Sequence, residues 1–246
     1  MKKTVDNFQP AGGMHCITNA MKQIFNFYGH PLSEEMLFGL GEGLDFAYIN
    51  MAHSPMVSGR SKIIEFEGIL SKRLGVGMKF RKGRDNNKSF EAARKMIDDN
   101  QPVLIYADMP YLPYMSLDPD SHFGGIMAVC DKMLNPQARG FLRCGKAADG
   151  GNNQLFSDKC GCGTGGGIFR KMYGGFLLEA AELLENSRIR TIGSHFFEIA
   201  EEWDIVANEL WKVAEEGHSG LLLHISEEIR ALHDAEYDLY SQLTKL

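Results

Sequence analysis

The chain changes character at Asp131 and again at Gly167, and these two changes limit the available folds more than its length does. Between them, "DKMLNPQARGFLRCGKAADGGNNQLFSDKCGCGTGGG" is rich in Gly, Asn, Asp and Cys and carries little periodicity. It is long for a structureless connection inside a compact domain, so it reads as a domain boundary or a mobile loop. After it, apolar residues recur at helical spacing to the last residue, as in Phe196, Ile199, Trp203, Val206, Leu210 and Val213, and three helices are expected there as a small bundle. Before it, helices come first and strands later, an α+β order rather than a βαβ alternation. With 246 residues the chain suits one large domain or two small ones, with enough mass to bury a core.

The N-terminal part is read element by element. Ile17, Ala20, Met21, Ile24, Phe25 and Tyr28 recur at three- and four-residue steps up to Gly29 and predict a helix with one buried face. Ser33 is a candidate N-cap for a second helix, and "SKIIEFEGILSKRLG" predicts a third. "VGMKFRK" alternates like a strand. "SFEAARKMIDDNQP" reads as a helix from a Ser89 cap to Pro102, followed by buried strands at "PVLIYAD" and "HFGGIMAV".

Charge and cysteine usage narrow the partners. The net charge is −6, and from Arg170 onward 7 basic residues face 15 acidic ones. No dense basic field is available for nucleic acid or an anionic membrane, while a cationic or neutral partner is accommodated easily. Five cysteines, an odd number behind an N-terminus with no apolar signal stretch, predict reduced thiols and a soluble cytoplasmic protein.

Two residues stand out as chemistry. Cys16 falls at the start of the first helix, where backbone N–H groups and the positive end of the helix dipole favour a thiolate and could hold an oxyanion. The competing reading is a small buried hydrophobe. A nucleophile needs a base, and His122, at the head of an apolar strand, is the candidate; an ordinary strand-edge histidine is the alternative. His15 neighbours Cys16 but points about 100° away from it on a helix. Cys130, Cys144, Cys160 and Cys162 could also be read as zinc thiolates, although C-x-C is short for a structural zinc site. "GLGEG", residues 39–43, lacks the lysine of a phosphate loop and reads as a helix exit and turn.

Several stretches together resemble one family. "HCITNAMKQIFNFYGHPLSEEMLFGLGEGLDFAY", "LGVGMKF", "QPVLIYADMPYLPY" and "HFGGIMAV" resemble the N-terminal domain of the butirosin biosynthesis protein H family. "MYGGFLLEAAELL" and "IAEEWDIVANEL" resemble the helical region that often follows it. The resemblance implies a papain-like fold over residues 1–145, a Gly/Cys-rich linker over 146–167 and a helical C-terminal region over 168–246. It implies secondary metabolism, with an acyl group passing through a Cys16 thioester to an amine and His122 as general base. Gln9 and the backbone N–H of Cys16 would form the oxyanion hole, a surface glutamine being the other reading of Gln9. Asp108, Tyr111 and Tyr114 would line the acceptor cleft, or simply pack at a turn.

The carboxylate that orients the histidine in such enzymes maps to Asp149, with Asp131 or Asp158 as substitutes, because "FLRCGKAADGG" departs from the family pattern. The implied partners are an acyl carrier protein or another acyl donor and a small amine acceptor, with a homodimer left open. No cofactor, metal, nucleic acid or membrane is expected. A cysteine peptidase or amidase on the same residues, and an impaired binding protein on the same fold, are the alternatives.

Overall fold

A computed structural model describes residues 3–49, 56–61, 65–81, 85–108, 125–133, 142–144, 166–217 and 219–246. These fall into two units by internal contact. The first comprises residues 1–34, 79–152 and 160–162, the second residues 35–78, 153–159 and 163–246.

The first unit is a helix-on-sheet arrangement. Strand β5 (Gly125–Met133) is its hub: it pairs antiparallel with β4 (Val103–Asp108), with the short β1 (Lys3–Thr4) and with β6 (Leu142–Cys144). The β4–β5 ladder runs without a break from Val103 opposite Cys130 to Asp108 opposite Gly125. Helix α1 (Cys16–Phe27) lies against β5, and helix α4 (Asn86–Asp98) lies against β1, β4 and β5. Val5 and Ile97 form a small buried centre with Phe8, Phe27, Phe90, Val103 and Ile105 packed around it.

Helix α4 begins three residues before the expected Ser89. The Asp85 carboxylate accepts the N–H groups of Asn87 and Lys88, and Ser89 lies in the first turn with its hydroxyl donating to the Asp85 carbonyl. A carboxylate at the N-cap also meets the helix dipole favourably, which explains why Asp85 takes the capping position. "VGMKFRK" is not a strand: residues 76–81 pair with no other segment among the described residues.

The second unit contains helices α2 (Glu34–Leu40, from its second residue) and α3 (Glu65–Leu74), the hairpin β2 (Leu44–Ile49) and β3 (Met56–Arg60), and three long helices. These are α5 (Ile168–Leu183), α6 (Ser187–Glu216) and α7 (Leu221–Leu243). Residues 39–43 are the helix exit read in the sequence, with Gly41 and Gly43 N–H groups closing on the Leu37 and Phe38 carbonyls. Asn186 caps α6 through the N–H groups of Arg188 and Ile189, and Gly217, at φ +69°, ends it.

The expected apolar stripe on α6 is buried at Phe196, Ile199, Trp203 and Val206, joined by Leu177, Ile192, Ile225, Leu232 and Leu239. It fades at Leu210, which is 37% exposed. Helices α5 and α6 approach at two glycines: a Cβ on Gly174 would come within 2.9 Å of the Gly193 carbonyl oxygen and 3.0 Å of Phe197. Arg170, 3% exposed, binds both Glu236 oxygens at 2.9 and 3.2 Å and covers the Trp203 ring at 4.7 Å. The Trp203 indole N–H donates to the same carboxylate at 2.7 Å, so one polar cluster links α5, α6 and α7.

The chain is thus mixed α+β and rich in helix, with a small sheet and a helical C-terminal region. Among the described residues no helix is long and apolar enough to cross a membrane.

Candidate functional site

Cys16 is the first residue of α1 and is half-buried. The helix starts there because Ile17, Ala20, Met21 and Phe25 bury one face, while His15, at φ −136° and ψ 133°, is still extended. The His15 side chain makes no capping bond to α1. A thiol at this position sits at the positive end of the helix dipole, which lowers thiol pKa values.

The segment leading into Cys16 is tied down by buried polar side chains. Glu34, 2% exposed, accepts the Met14 N–H at 3.1 Å on both carboxylate oxygens. It also accepts the His15 N–H at 3.1 Å and the Thr18 hydroxyl at 3.0 Å, both on Oε2. With that hydroxyl proton directed to Glu34, the Thr18 oxygen can accept from the His15 ring, whose Nδ1 is 3.3 Å away. One turn further on, the Asn19 amide donates to the Ala11 carbonyl and the Gln23 carbonyl accepts the Ala11 N–H.

Gly13 is demanded by this packing, since a Cβ there would lie 2.0 Å from Glu34 Oε1 and 2.5 Å from Asn19. Burial pushes the Glu34 carboxyl above the usual carboxylate range, opposed by the bonds from the His15 N–H, Thr18 and the Met14 N–H and by the Lys22 charge.

The other expected site residues are placed as follows. Gln9 is exposed in the segment between β1 and α1. Asp108 is the last residue of β4, opposite Gly125, and Asp131 lies on β5. Tyr111, Tyr114, His122, Asp149 and Asp158 lie outside the described residues, as do Cys160 and Cys162. Cys130 and Cys144 stand directly opposite each other in β5 and β6.

Thr18, Asn19, Gln23 and Glu34 were not singled out in the sequence. The available signal was the run of polar residues inside an otherwise apolar helix face, since Thr18, Asn19 and Gln23 are all buried alongside Ile17, Ala20 and Met21.

Among the described residues, one group has donors suited to a metal: Glu209 on α6 with His224 and Glu228 on α7, whose ligating atoms lie within 4.8 Å of one another. His224 is exposed, and Nε2 lies 3.4 Å from Glu228 Oε1. Burial raises the Glu228 pKa, and the Glu209 carboxylate beside it raises it further.

An α+β unit with a thiol at a helix start, in a chain that ends in a helical region, is the setting in which family relationships fall. Residues 15–132 match the family model described as Butirosin biosynthesis protein H, N-terminal, which bears out the resemblance seen in the sequence. Residues 158–243 match a second model, described as a domain of unknown function, DUF4872. No curated protein and no solved structure matches the chain.

Proposed function

We propose that this chain is a thiol-dependent acyltransferase of the butirosin biosynthesis protein H type, with a papain-like catalytic domain over residues 1–145. The observation that carries the reading is Cys16 at the first position of α1, behind a segment fixed by buried hydrogen bonds. The match over residues 15–132 supports a biosynthetic, acyl-transfer role at the level of the family.

The chemistry is a ping-pong transfer. The Cys16 thiolate adds to the carbonyl of an acyl thioester on a carrier protein or similar donor. The backbone N–H of Cys16 and the Gln9 amide hold the oxyanion. The tetrahedral adduct expels the donor thiolate, which takes the proton held by His122, and leaves an acyl-Cys16 thioester. A small amine, losing its proton to His122, attacks that thioester and releases an amide and the Cys16 thiol. Asp149, or Asp131 or Asp158 in its place, orients the imidazole, and Asp108, Tyr111 and Tyr114 line the acceptor cleft.

The test is intact-mass analysis after incubation with an acyl thioester donor. An adduct that is absent in Cys16→Ala and discharged by amines supports the transferase. Discharge by water alone would point to a hydrolase on the same residues, and no adduct with any acyl or peptide donor would leave a binding protein.

A further inference from the structure

We infer that Glu34 is the positioning residue of the Cys16 thiol, acting through the backbone of Met14 and His15. The inference rests on the acyl-transfer reading of Cys16 and adds a residue to it. Three donors from the segment just before and just after Cys16 converge on one carboxylate: the Met14 N–H, the His15 N–H and the Thr18 hydroxyl. Two of them are the backbone groups that set the path of the chain into α1. His15 makes no side-chain cap of its own, so the entry angle of the helix is not fixed in the usual way.

Glu34 supplies that fixation from a different element. It stands at the first position of α2, nineteen residues from His15, and is 2% exposed. A buried carboxylate is costly unless its oxygens are bonded, and here each oxygen has at least one donor. Gly13 leaves the room for it: a methyl at that position would collide with Oε1. Released from Glu34, Met14 and His15 would lose the backbone hydrogen bonds that fix the entry into α1, and the Cys16 thiol and backbone N–H would no longer share one fixed orientation.

The role is geometric and not a matter of charge, which separates two substitutions. In Glu34→Gln a carbonyl oxygen at the Oε2 place keeps the Met14, His15 and Thr18 donors, while the amide NH2 at the Oε1 place replaces the second branch of the Met14 bond with a donor facing a donor. In Glu34→Ala all are lost. A nearby negative charge would disfavour a thiolate, so a purely electrostatic role predicts that both variants activate the thiol equally.

The experiment combines two readouts on the full chain. Iodoacetamide alkylation of Cys16 is followed against pH, and amide hydrogen exchange is followed at Met14 and His15. Glu34→Ala is expected to slow alkylation at neutral pH by about tenfold or more, the factor equivalent to ~1.4 kcal/mol. It should speed exchange at both amides by a similar factor. Glu34→Gln should restore both to within about threefold of wild type, where a charged bond becomes a neutral one.

Thr18→Val, which removes one donor and leaves the helix intact, should give a smaller loss of a few fold and serves if Glu34→Ala does not fold. Unchanged exchange and alkylation in Glu34→Ala, or in Thr18→Val if that is the variant measured, would overturn the inference, as would a Glu34→Gln as defective as Glu34→Ala. An ordinary thiol profile in the wild type overturns the Cys16 reading instead, and the exchange data still report on the Glu34 clamp.

Discussion

Arg170 and Glu236 form a two-point ion pair inside the helical unit, with N–O distances of 2.9 and 3.2 Å and the guanidinium almost wholly buried. Glu236 also takes the Trp203 indole proton. Breaking a buried pair from one side leaves an uncompensated charge, so Glu236→Ala should lower stability by about 3–5 kcal/mol. Arg170→Met with Glu236→Ala should cost less than the sum of the two single changes. Urea unfolding of the four proteins in a double-mutant cycle measures this, and simple additivity would refute it.

On the proposed mechanism, Cys16 at the start of α1 should alkylate with an apparent pKa below the ordinary ~8.5. If His122 is the base proposed above, His122→Ala should move the profile up toward that value, because the variant lacks an imidazolium to stabilise the thiolate. Cys16→Ala removes the titrating alkylation and identifies the site. A profile indifferent to His122 would separate the two residues.

At the α5–α6 crossing, helix propensity and packing oppose each other. Gly174→Ala gains about 1 kcal/mol of propensity in a helix interior. Its methyl would meet the Gly193 carbonyl oxygen at 2.9 Å, a backbone atom that cannot turn aside. Overpacking of that kind costs about 1–3 kcal/mol, so the net change should be destabilising. A chemical denaturation midpoint equal to or above wild type would show that the helices separate more easily than this spacing implies.

Glu228 gives a pH prediction with a definite sign. Burial, and then the neighbouring Glu209 carboxylate, raise its pKa in the folded chain. The folded state therefore binds the proton more tightly than the unfolded state. The favourable contribution is present below the ordinary carboxyl value and is lost as pH rises through the raised one. Glu228→Gln should gain on wild type across that window, reaching about 0.2–0.5 kcal/mol near neutrality, the size of a like-charge contact on helices. Thermal unfolding of both proteins from acid to neutral pH reads the difference, and a gap that narrows with rising pH would contradict it.

Much of the architecture was legible because its elements announce themselves through apolar spacing. Helix α1 and the buried stripe from Phe196 to Val206 follow the repeats directly, and β4 and β5 are the two apolar runs. The hairpin of β2 and β3 was missed because Phe46 and Tyr48 stay about half exposed, leaving no clean alternation of apolar inside and polar outside. "VGMKFRK" misled in the opposite sense, since alternation without a partner strand does not make a sheet. Asp85, four residues upstream, took the cap from Ser89 because its carboxylate both accepts two first-turn N–H groups and meets the helix dipole favourably. In the site, Cys16 was visible from its position at the helix start. Glu34 was not, because its importance lies in a contact nineteen residues away, and nothing in "SEEMLF" distinguishes a buried clamp from a solvated first-turn acid.

Phe38 and Phe66, from the early part of the chain, belong to the same unit as Phe169, against whose ring Phe38 stacks at 5.6 Å. During synthesis Phe38 and Phe66, which pack on each other, are both made roughly 100 residues or more before Phe169, an interval of at least about 5–20 s at ordinary ribosome speeds. For that interval the face of Phe38 on which Phe169 stacks has no ring to cover it. Chaperone supply and the pace of translation through residues 67–168 therefore become determinants of how much of this protein reaches its native state.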